Sequence, residues 1–132
     1  MKLGIVVSEW YWDEITSHML DLALEAAEHE HVKTEVIRVP GCYDTPLAVK
    51  KLLKKKSIDA VITLGAIVQG ATDHDRAIAY SIFPALTKLS LQFNKPVFLG
   101  ITGPRMTMAQ AIKRIPKAKL VTEACIDMLR SS

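Results

Sequence analysis

The stretch AVITLGAIVQGATDHD, residues 60–75, contains the pattern from which the fold follows. Residues 60–64 form a short aliphatic run with several β-branched side chains, which is typical of a strand buried on both faces of a parallel sheet. A loop with two glycines follows over residues 65–73, and a helical pattern then extends over residues 74–93. Pro84 lies inside that helix, where it predicts a kink or a break into two pieces.

The same order of strand and helix occurs four times along the chain, with an additional helix at the end. The predicted strands are residues 3–7, 33–39, 60–64 and 96–100. The predicted helices begin at about residues 13, 45, 74, 107 and 118. Right-handed crossovers between such units place the strands in one parallel sheet with helices on both faces. The sequence therefore predicts one α/β domain over residues 1–132, a three-layer α/β/α sandwich with a four-stranded parallel sheet, doubly wound and flavodoxin-like.

Three of the helix starts carry capping signals. Asp13 is a predicted N-cap residue for the first helix. Thr45 is a predicted cap for the second helix, with Pro46 at its first position. Thr107, followed three residues later by Gln110, has the spacing of a capping box at the start of the short fourth helix.

Composition restricts the class of protein. A chain of 132 residues allows one domain with a core that needs neither a disulfide nor a metal. Hydrophobic residues make up 49% of the chain and aromatic residues only 6%, so the apolar content is mainly aliphatic and disorder is excluded. The mean hydropathy of +0.17 is high for a small monomer. We therefore expect either a large core or apolar surface buried between subunits.

Several cellular and partner classes are not expected from the sequence. No apolar run approaches the roughly 18 residues that cross a bilayer, and residues 1–8 carry no hydrophobic leader, so a cytoplasmic location is expected. Cys42 and Cys125 lack a CxxC or zinc-ligand spacing and are expected to be reduced. The net charge is only +3, and the basic cluster at residues 50–56 lies at a predicted helix end. Without a basic stripe and interleaved aromatics, a nucleic-acid partner is not expected.

The loop over residues 65–74 has the strongest chemical signal. Its glycines allow close approach to the backbone, and free N–H groups at the following helix start favour an anion such as phosphate. The loop lacks the GK[ST] ending of a nucleotide P-loop, and a plain turn capped by Asp73 is an equal alternative. His74 could transfer protons at this position, or could be a surface histidine in a first helical turn. Asp73, His74 and Asp75 diverge at a helix start, so no metal site is expected.

Aromatic and basic residues follow other strands of the predicted sheet. Trp10, Tyr11 and Trp12 could stack on a planar heterocycle, or could cover a helix. Basic residues that could pair with a phosphate, or could only complement helix dipoles, are Arg105, Arg114, Lys117 and Lys119. Ligands bind beyond the carboxyl ends of parallel strands. The residues alone therefore predict a site for a planar polar ring and a phosphorylated small molecule, with one histidine for acid–base catalysis.

Three separated motifs stand at predicted strand ends: VPGCYDTP over residues 39–46, GAIVQGATDH over residues 65–74, and GITGP over residues 100–104. The last is followed by Gln110, Ala111 and Arg114. Together they resemble the lumazine synthase family, in particular its archaeal branch, and the resemblance covers essentially the whole chain. It implies condensation of 5-amino-6-(D-ribitylamino)uracil with 3,4-dihydroxy-2-butanone 4-phosphate to 6,7-dimethyl-8-ribityllumazine in riboflavin biosynthesis. That chemistry depends on orientation and one acid–base group more than on a metal or a strong nucleophile, and no cofactor is implied.

The resemblance also implies roles for individual residues. His74 matches the residue assigned proton transfer. The positions implied to bind substrate are Trp10, Cys42, Tyr43, Asp44, Ala66, Ile67, Val68, Ala71, Thr72, Leu99, Arg114 and Lys119. Within this set, Trp10 would stack on the pyrimidine ring, residues 42–44 would meet the ribityl chain and residues 66–68 the uracil edge. Backbone N–H groups of residues 71 and 72, together with Arg114, would hold the phosphate, with Lys119 as a second cation near it.

Four positions depart from the family pattern. The first loop is one residue longer, so that Trp10 and Trp12 compete for the stacking role. Asp44 replaces the usual glutamate, and Leu99 stands where many members have phenylalanine. Residues 115–117 replace a glycine-rich connection found in many bacterial members. The family builds its pocket across two subunits, which implies a homopentamer or multiples of one, with Leu99 lying where a partner usually supplies the pocket wall.

Three other functions compete with this interpretation. An archaeal riboflavin synthase shares the fold but lacks the loop motif that residues 70–74 carry. A carrier that binds flavin or lumazine without catalysis could use the same scaffold. A response-regulator module is the weakest alternative, because Glu9 lacks the acidic partners that would hold magnesium.

Overall fold

The computed structural model describes residues 1–131 and contains one parallel sheet. Its strands are β1 (Lys2–Ser8), β2 (Lys33–Val39), β3 (Ala60–Val68) and β4 (Val97–Met106). Its α-helices are α1 (Ser17–His29), α2 (Thr45–Leu53), α3 (His74–Phe93), α4 (Met108–Lys113) and α5 (Lys117–Arg130). The strand order is β2-β1-β3-β4, with all three pairings parallel, which confirms the predicted doubly wound α/β fold.

Burial explains why these segments became strands. Six of the seven residues of β1 and eight of the nine residues of β3 are buried, as expected for the two central strands of a sheet covered on both faces. β2 lies at one edge and carries alternating, more polar side chains. The strand order reverses between β1 and β3, where Ile5 pairs with Ile62. The loops that follow these central strands therefore begin at the point where ligands bind in open α/β sheets.

Two cores lie on opposite faces of the sheet. One joins β1 and β3 to α1 and α5, and includes Met19, Ala23 and Ile126. The other joins the same strands to α2 and α3, and includes Leu52 and Ile82. Among residues 1–131, no helix has both the length and the apolar character needed to cross a membrane.

β3 and β4 are both longer than the sequence predicted. β3 continues through Gly65, Ala66, Ile67 and Val68, which the sequence assigned to a loop, and β4 extends to Met106. The two extensions pair with each other, since Ala66 is in register with Thr102 and Val68 with Met106 across a shift. Glycine is a poor strand residue by itself, and only this pairing keeps the segment extended.

The first helix begins differently from the prediction. Asp13 is not an N-cap residue, because the chain enters through a π-helical turn, Trp12–Thr16, and α1 begins only at Ser17. Tyr11 has a left-handed backbone with φ of 63°. Its carbonyl accepts hydrogen bonds from the N–H groups of both Ile15 (2.9 Å) and Thr16 (3.0 Å). The wide first turn is thus closed by Tyr11 and needs no side-chain cap.

The second helix also begins without its predicted cap. Asp44 occupies the N-cap position without a side-chain cap, and Thr45 is the first helical residue. The Thr45 hydroxyl instead donates to the Cys42 carbonyl at 2.8 Å, so it secures the preceding turn. Pro46 is therefore the second helical residue and not the first, one position later in the helix than predicted.

The third helix is continuous, and the fourth has its predicted cap. Pro84 does not break α3, which is one helix of 20 residues. The capping box is confirmed: the Thr107 N–H donates to Gln110 Oε1 (2.9 Å), and the Gln110 N–H donates to Thr107 Oγ1 (3.1 Å).

Candidate active site

The carboxyl ends of β1 and β2 are joined by the backbone. The Glu9 N–H donates to the Val39 carbonyl at 2.7 Å, which extends the pairing one residue beyond the strands. Ser8 is fully buried, and its hydroxyl accepts a hydrogen bond from the Trp10 N–H at 3.3 Å. These contacts fix the backbone from which Trp10 projects.

The two tryptophans of this loop have different environments. Trp10 is 63% exposed, and its ring meets the ring of Tyr11 edge-on, at 6.1 Å between centroids. Trp12 packs against the core, and the guanidinium of Arg38 covers its ring at 3.7 Å. Arg38 is held there by an ion pair with Glu9 at 3.1 Å. Of the two competing residues, Trp10 therefore has the ring available to a planar ligand.

Cys42 lies beneath the loops and in contact with β3. It is 8% exposed, and its Sγ is 4.0 Å from the Ala66 carbonyl oxygen. A Cβ atom added to Gly65 would lie only 2.6 Å from this sulfur, so the glycine provides the space that the thiol occupies. Burial raises the pKa of Cys42 to about 11. The thiol therefore stays protonated at neutral pH and is not a nucleophile.

The residues beside Cys42 face solvent. Tyr43 is 64% exposed. Asp44 is exposed as well, and its Oδ2 accepts a hydrogen bond from the Gly41 N–H at 3.1 Å. This contact keeps the short 3-10 turn Cys42–Asp44 closed and leaves both side chains at the surface of the site.

At the end of β3, mainly backbone groups are available to a ligand. The side chains of Ala66 and Ile67 are buried, and Val68 is half-buried. The Gln69 N–H donates to the Met106 carbonyl at 2.8 Å, which joins the end of β3 to the end of β4. Any contact of residues 66 and 67 with a polar ring would therefore use their peptide groups.

The loop before α3 is open to solvent. Residues 70–74 are all exposed, and the His74 N–H donates to the Thr72 hydroxyl at 3.4 Å. His74 is the first residue of α3, whose N-terminal N–H groups favour negative charge. Its imidazole forms no hydrogen bond with the residues that the structure describes, so both ring nitrogens are available to a ligand.

Three predicted site residues lie apart from these loops. Arg114 is exposed at the end of α4. Lys119 lies in a groove between α1 and α5, near Leu22 and Glu123, and not among the strand ends. Leu99 is 39% exposed on the edge strand β4, where it lines a shallow groove with residues of α3. The structure thus brings residues 10, 42–44, 66–68 and 71–74 to one edge of the sheet, whereas Leu99 and Lys119 lie elsewhere and Arg114 ends a helix that contacts β3.

One contact beside the site was missed by sequence reasoning, although Arg105 itself was a candidate partner for a phosphate. Asp75 is 4% exposed, and its Oδ2 accepts a hydrogen bond from the Arg105 N–H at 2.9 Å. This hydrogen bond holds the pKa of Asp75 below its ordinary value. The sequence marked Asp75 only as a rejected metal ligand, and no local pattern relates it to a residue 30 positions away.

Comparison with known proteins gives a consistent result along the whole chain. The family model described as 6,7-dimethyl-8-ribityllumazine synthase matches residues 1–132. A protein of that name from Methanobrevibacter smithii is 50% identical over 128 residues, which cover 96% of this chain and 92% of the relative. Another from Methanothermobacter thermautotrophicus is 48% identical, with 98% and 94% covered. A third, from Picrophilus torridus, is 44% identical, with 98% and 96% covered.

Proposed function

Because the chain belongs to the 6,7-dimethyl-8-ribityllumazine synthase family, we propose that its strand-end loops carry out the condensation that this name describes. It is a transferase of riboflavin biosynthesis. Its reaction joins 5-amino-6-(D-ribitylamino)uracil to 3,4-dihydroxy-2-butanone 4-phosphate, with loss of phosphate and two molecules of water. One observation supports this site best. An exposed aromatic ring, Trp10, and the exposed loop 70–74, which leads into the N-terminus of α3, lie at one edge of the sheet.

The pyrimidine substrate is assigned to the β1 and β2 side of the site. Trp10 stacks on the ring, since the face of Trp12 is already covered by Arg38. Peptide groups of Ala66, Ile67 and Val68 meet the polar edge of the uracil. A backbone donor and acceptor array can satisfy such a ring without any charged side chain.

The ribityl chain of that substrate lies along residues 42–44 in this assignment. Tyr43 and Asp44 are exposed and can meet its hydroxyl groups. Cys42 contributes through its backbone, because its thiol is turned towards Ala66 and is buried.

The phosphate-bearing substrate is assigned to the start of α3. Backbone N–H groups of Ala71 and Thr72 donate to the phosphate, and the dipole of the 20-residue helix adds to the attraction. Arg114 supplies a bidentate cation, and Lys119 a more distant positive charge. Both cations are exposed, and because Lys119 lies away from the strand ends of its own chain, it would reach the phosphate in a site shared with an adjacent subunit.

His74 is assigned proton transfer. The amine of the pyrimidine attacks the ketone to form an imine with loss of water, and removal of a carbon-bound proton then expels phosphate. The enol that remains tautomerises to a ketone, and the ribityl-bearing amine attacks this second carbonyl and closes the ring with loss of a second molecule of water. An imidazole at the start of α3 can take and return these protons while the loops hold the reacting groups together.

We further infer that the protein acts as a homopentamer, or multiples of one, in the cytoplasm. Several large apolar side chains are exposed on the single chain, including Tyr80 (66%), Leu91 (77%) and Leu120 (64%). Leu99 is also exposed, outside the loops of its own site. A subunit interface would cover such residues and could deliver Leu99 to a neighbour's pocket.

The activity can be tested directly with both substrates. Incubation with the protein should produce the absorbance and fluorescence of the lumazine faster than the same mixture without protein. No product above the uncatalysed rate would contradict the proposed function. A reaction with lumazine alone serves as the second arm: conversion to riboflavin would instead identify a riboflavin synthase.

A further inference from the structure

The end of β4 is anchored to the first turn of α3 by a buried carboxylate. Asp75 Oδ2 accepts the hydrogen bond from the Arg105 N–H at 2.9 Å, and only 4% of Asp75 is exposed. A buried carboxylate that accepts a backbone N–H gives a strong, charge-assisted hydrogen bond. Asp75 directly follows His74, so this contact fixes the Arg105 backbone beside the proposed acid–base residue.

The same end of β4 is also held by β3. Gly103 has φ of 104° and lies so close to Ile67 that an added Cβ would be 2.3 Å from the Ile67 carbonyl oxygen. At the last residue of β4, the Met106 carbonyl accepts the hydrogen bond from the Gln69 N–H. Residues 103–106 are therefore fixed against the segment from Ile67 to Asp75 at three points, and all three belong to the edge of the sheet that forms the site.

Arg105 is an unusual residue for this position. Its backbone is left-handed, with φ of 60°, a conformation that costs a non-glycine residue roughly 1 kcal/mol. Asp75 bonds to its N–H group, and its exposed guanidinium forms no hydrogen bond or ion pair within residues 1–131. A strained backbone that carries an unpaired cation beside a site suggests that the cation serves that site.

We propose that Arg105 is an additional anion-binding residue for the phosphate-bearing substrate, and that Asp75 is the residue that positions it. The inference rests on the proposed function, which places the phosphate at residues 71 and 72, three to four residues before Asp75. A guanidinium suits phosphate because its planar donors match two phosphate oxygens. Asp75 is a positioning residue, since it touches the Arg105 backbone and not the substrate.

The test varies the phosphate-bearing substrate at a saturating concentration of the pyrimidine. Arg105→Gly removes the cation, and because glycine tolerates the left-handed backbone, this variant keeps the conformation of the end of β4. We expect its KM for the phosphate-bearing substrate to rise roughly tenfold or more, the range of a lost charged hydrogen bond, while the KM for the pyrimidine stays the same. Inhibition by inorganic phosphate should weaken in parallel. Lys88→Gln, an exposed charge change on the outer part of α3, is the control and should leave all three values unchanged.

Asp75→Asn separates positioning from general stability. It should raise the same KM by a smaller factor, and it should add nothing in the Arg105→Gly background, because the cation that it positions is already absent. A merely structural role of Asp75 would lower activity equally in both backgrounds.

The outcomes also separate this proposal from the function itself. A wild-type protein that turns over, with unchanged KM and phosphate inhibition in Arg105→Gly, would overturn the role of Arg105. An equal additional loss from Asp75→Asn in both backgrounds would overturn the positioning role. If wild-type turnover is absent, calorimetric titration with the phosphate-bearing substrate still tests Arg105: equal affinity in wild type and Arg105→Gly would reject it.

Discussion

The contact between Gly65 and Cys42, which are buried beneath the loops of the site, allows a quantitative prediction about stability. A Cβ at residue 65 would lie 2.6 Å from Cys42 Sγ, about 1 Å closer than an ordinary van der Waals contact. Both residues lie in the interior, where overpacking costs about 1–3 kcal/mol. With an unfolding entropy near 0.3 kcal/mol/K for a chain of this length, Gly65→Ala should lower Tm by about 4–11 °C.

A second substitution should reverse much of this loss. Cys42→Ala alone removes a buried sulfur and should cost about 1 kcal/mol. In the double variant the methyl group at residue 65 fills the space that the sulfur leaves, so its Tm should lie above that of Gly65→Ala. Gly100→Ala is the matched control, because its Cβ would meet the Thr63 carbonyl oxygen at 2.4 Å and no change at Cys42 can relieve that clash.

Thermal unfolding of the four variants, at one protein concentration, measures the coupling between the two residues. A Gly65→Ala protein as stable as wild type would refute the steric argument. Strictly additive losses in the double variant would show that the destabilisation has another origin.

The remaining predictions concern the site residues. His74→Ala should lower kcat by up to about 10²-fold, the lower range for general acid–base catalysis, and a larger effect on either KM than on kcat would contradict its role. Trp10→Ala should raise the KM for the pyrimidine with little change in Tm, whereas Trp12→Ala should cost about 1–2 kcal/mol of stability; the reverse pattern would reassign the stacking residue. Because the Arg105 N–H lowers the pKa of Asp75 in the folded state, ionised Asp75 stabilises the fold above its ordinary pKa, and this contribution is lost as the pH falls through the lowered value. Asp75→Asn should therefore flatten the dependence of Tm on pH below the ordinary aspartate pKa of about 4, and an unchanged slope would speak against it.

The sequence predicted the elements whose signals are local. The aliphatic runs, the helical spacing and the Thr107 capping box depend on neighbouring residues, and these predictions agree with the structure. Gly65 was interpreted as the start of a loop, because the pairing of β3 with β4 that keeps it extended joins segments more than 30 residues apart. The π-helical turn before α1 was not predicted for a similar reason. It depends on the left-handed backbone conformation of Tyr11, which residues with aromatic side chains rarely adopt and which no sequence rule anticipates.

The candidate site was predictable only in part, for the same reason. Motifs at strand ends indicated which loops carry the chemistry, because the ends of parallel strands meet at one edge. The choice between Trp10 and Trp12 needed the position of Arg38 on the neighbouring strand. The Asp75–Arg105 contact needed the three-dimensional path of β4 and could not be inferred from spacing.

The packing of α5 on α1 has a consequence for how the protein is made. Glu30, just beyond α1, forms an ion pair with Arg130, and its carbonyl also accepts a hydrogen bond from Arg130 Nη2 at 3.0 Å, a contact across 100 residues. While the ribosome is still synthesising α5, the part of α1 that packs on α5 has no cover, whereas α2 and α3 can already pack on the opposite face of the sheet. We expect nascent chains stalled before α5 to be cut by protease within α1 and protected within α2. Equal protection of both helices would show that the two halves fold independently of the order of synthesis.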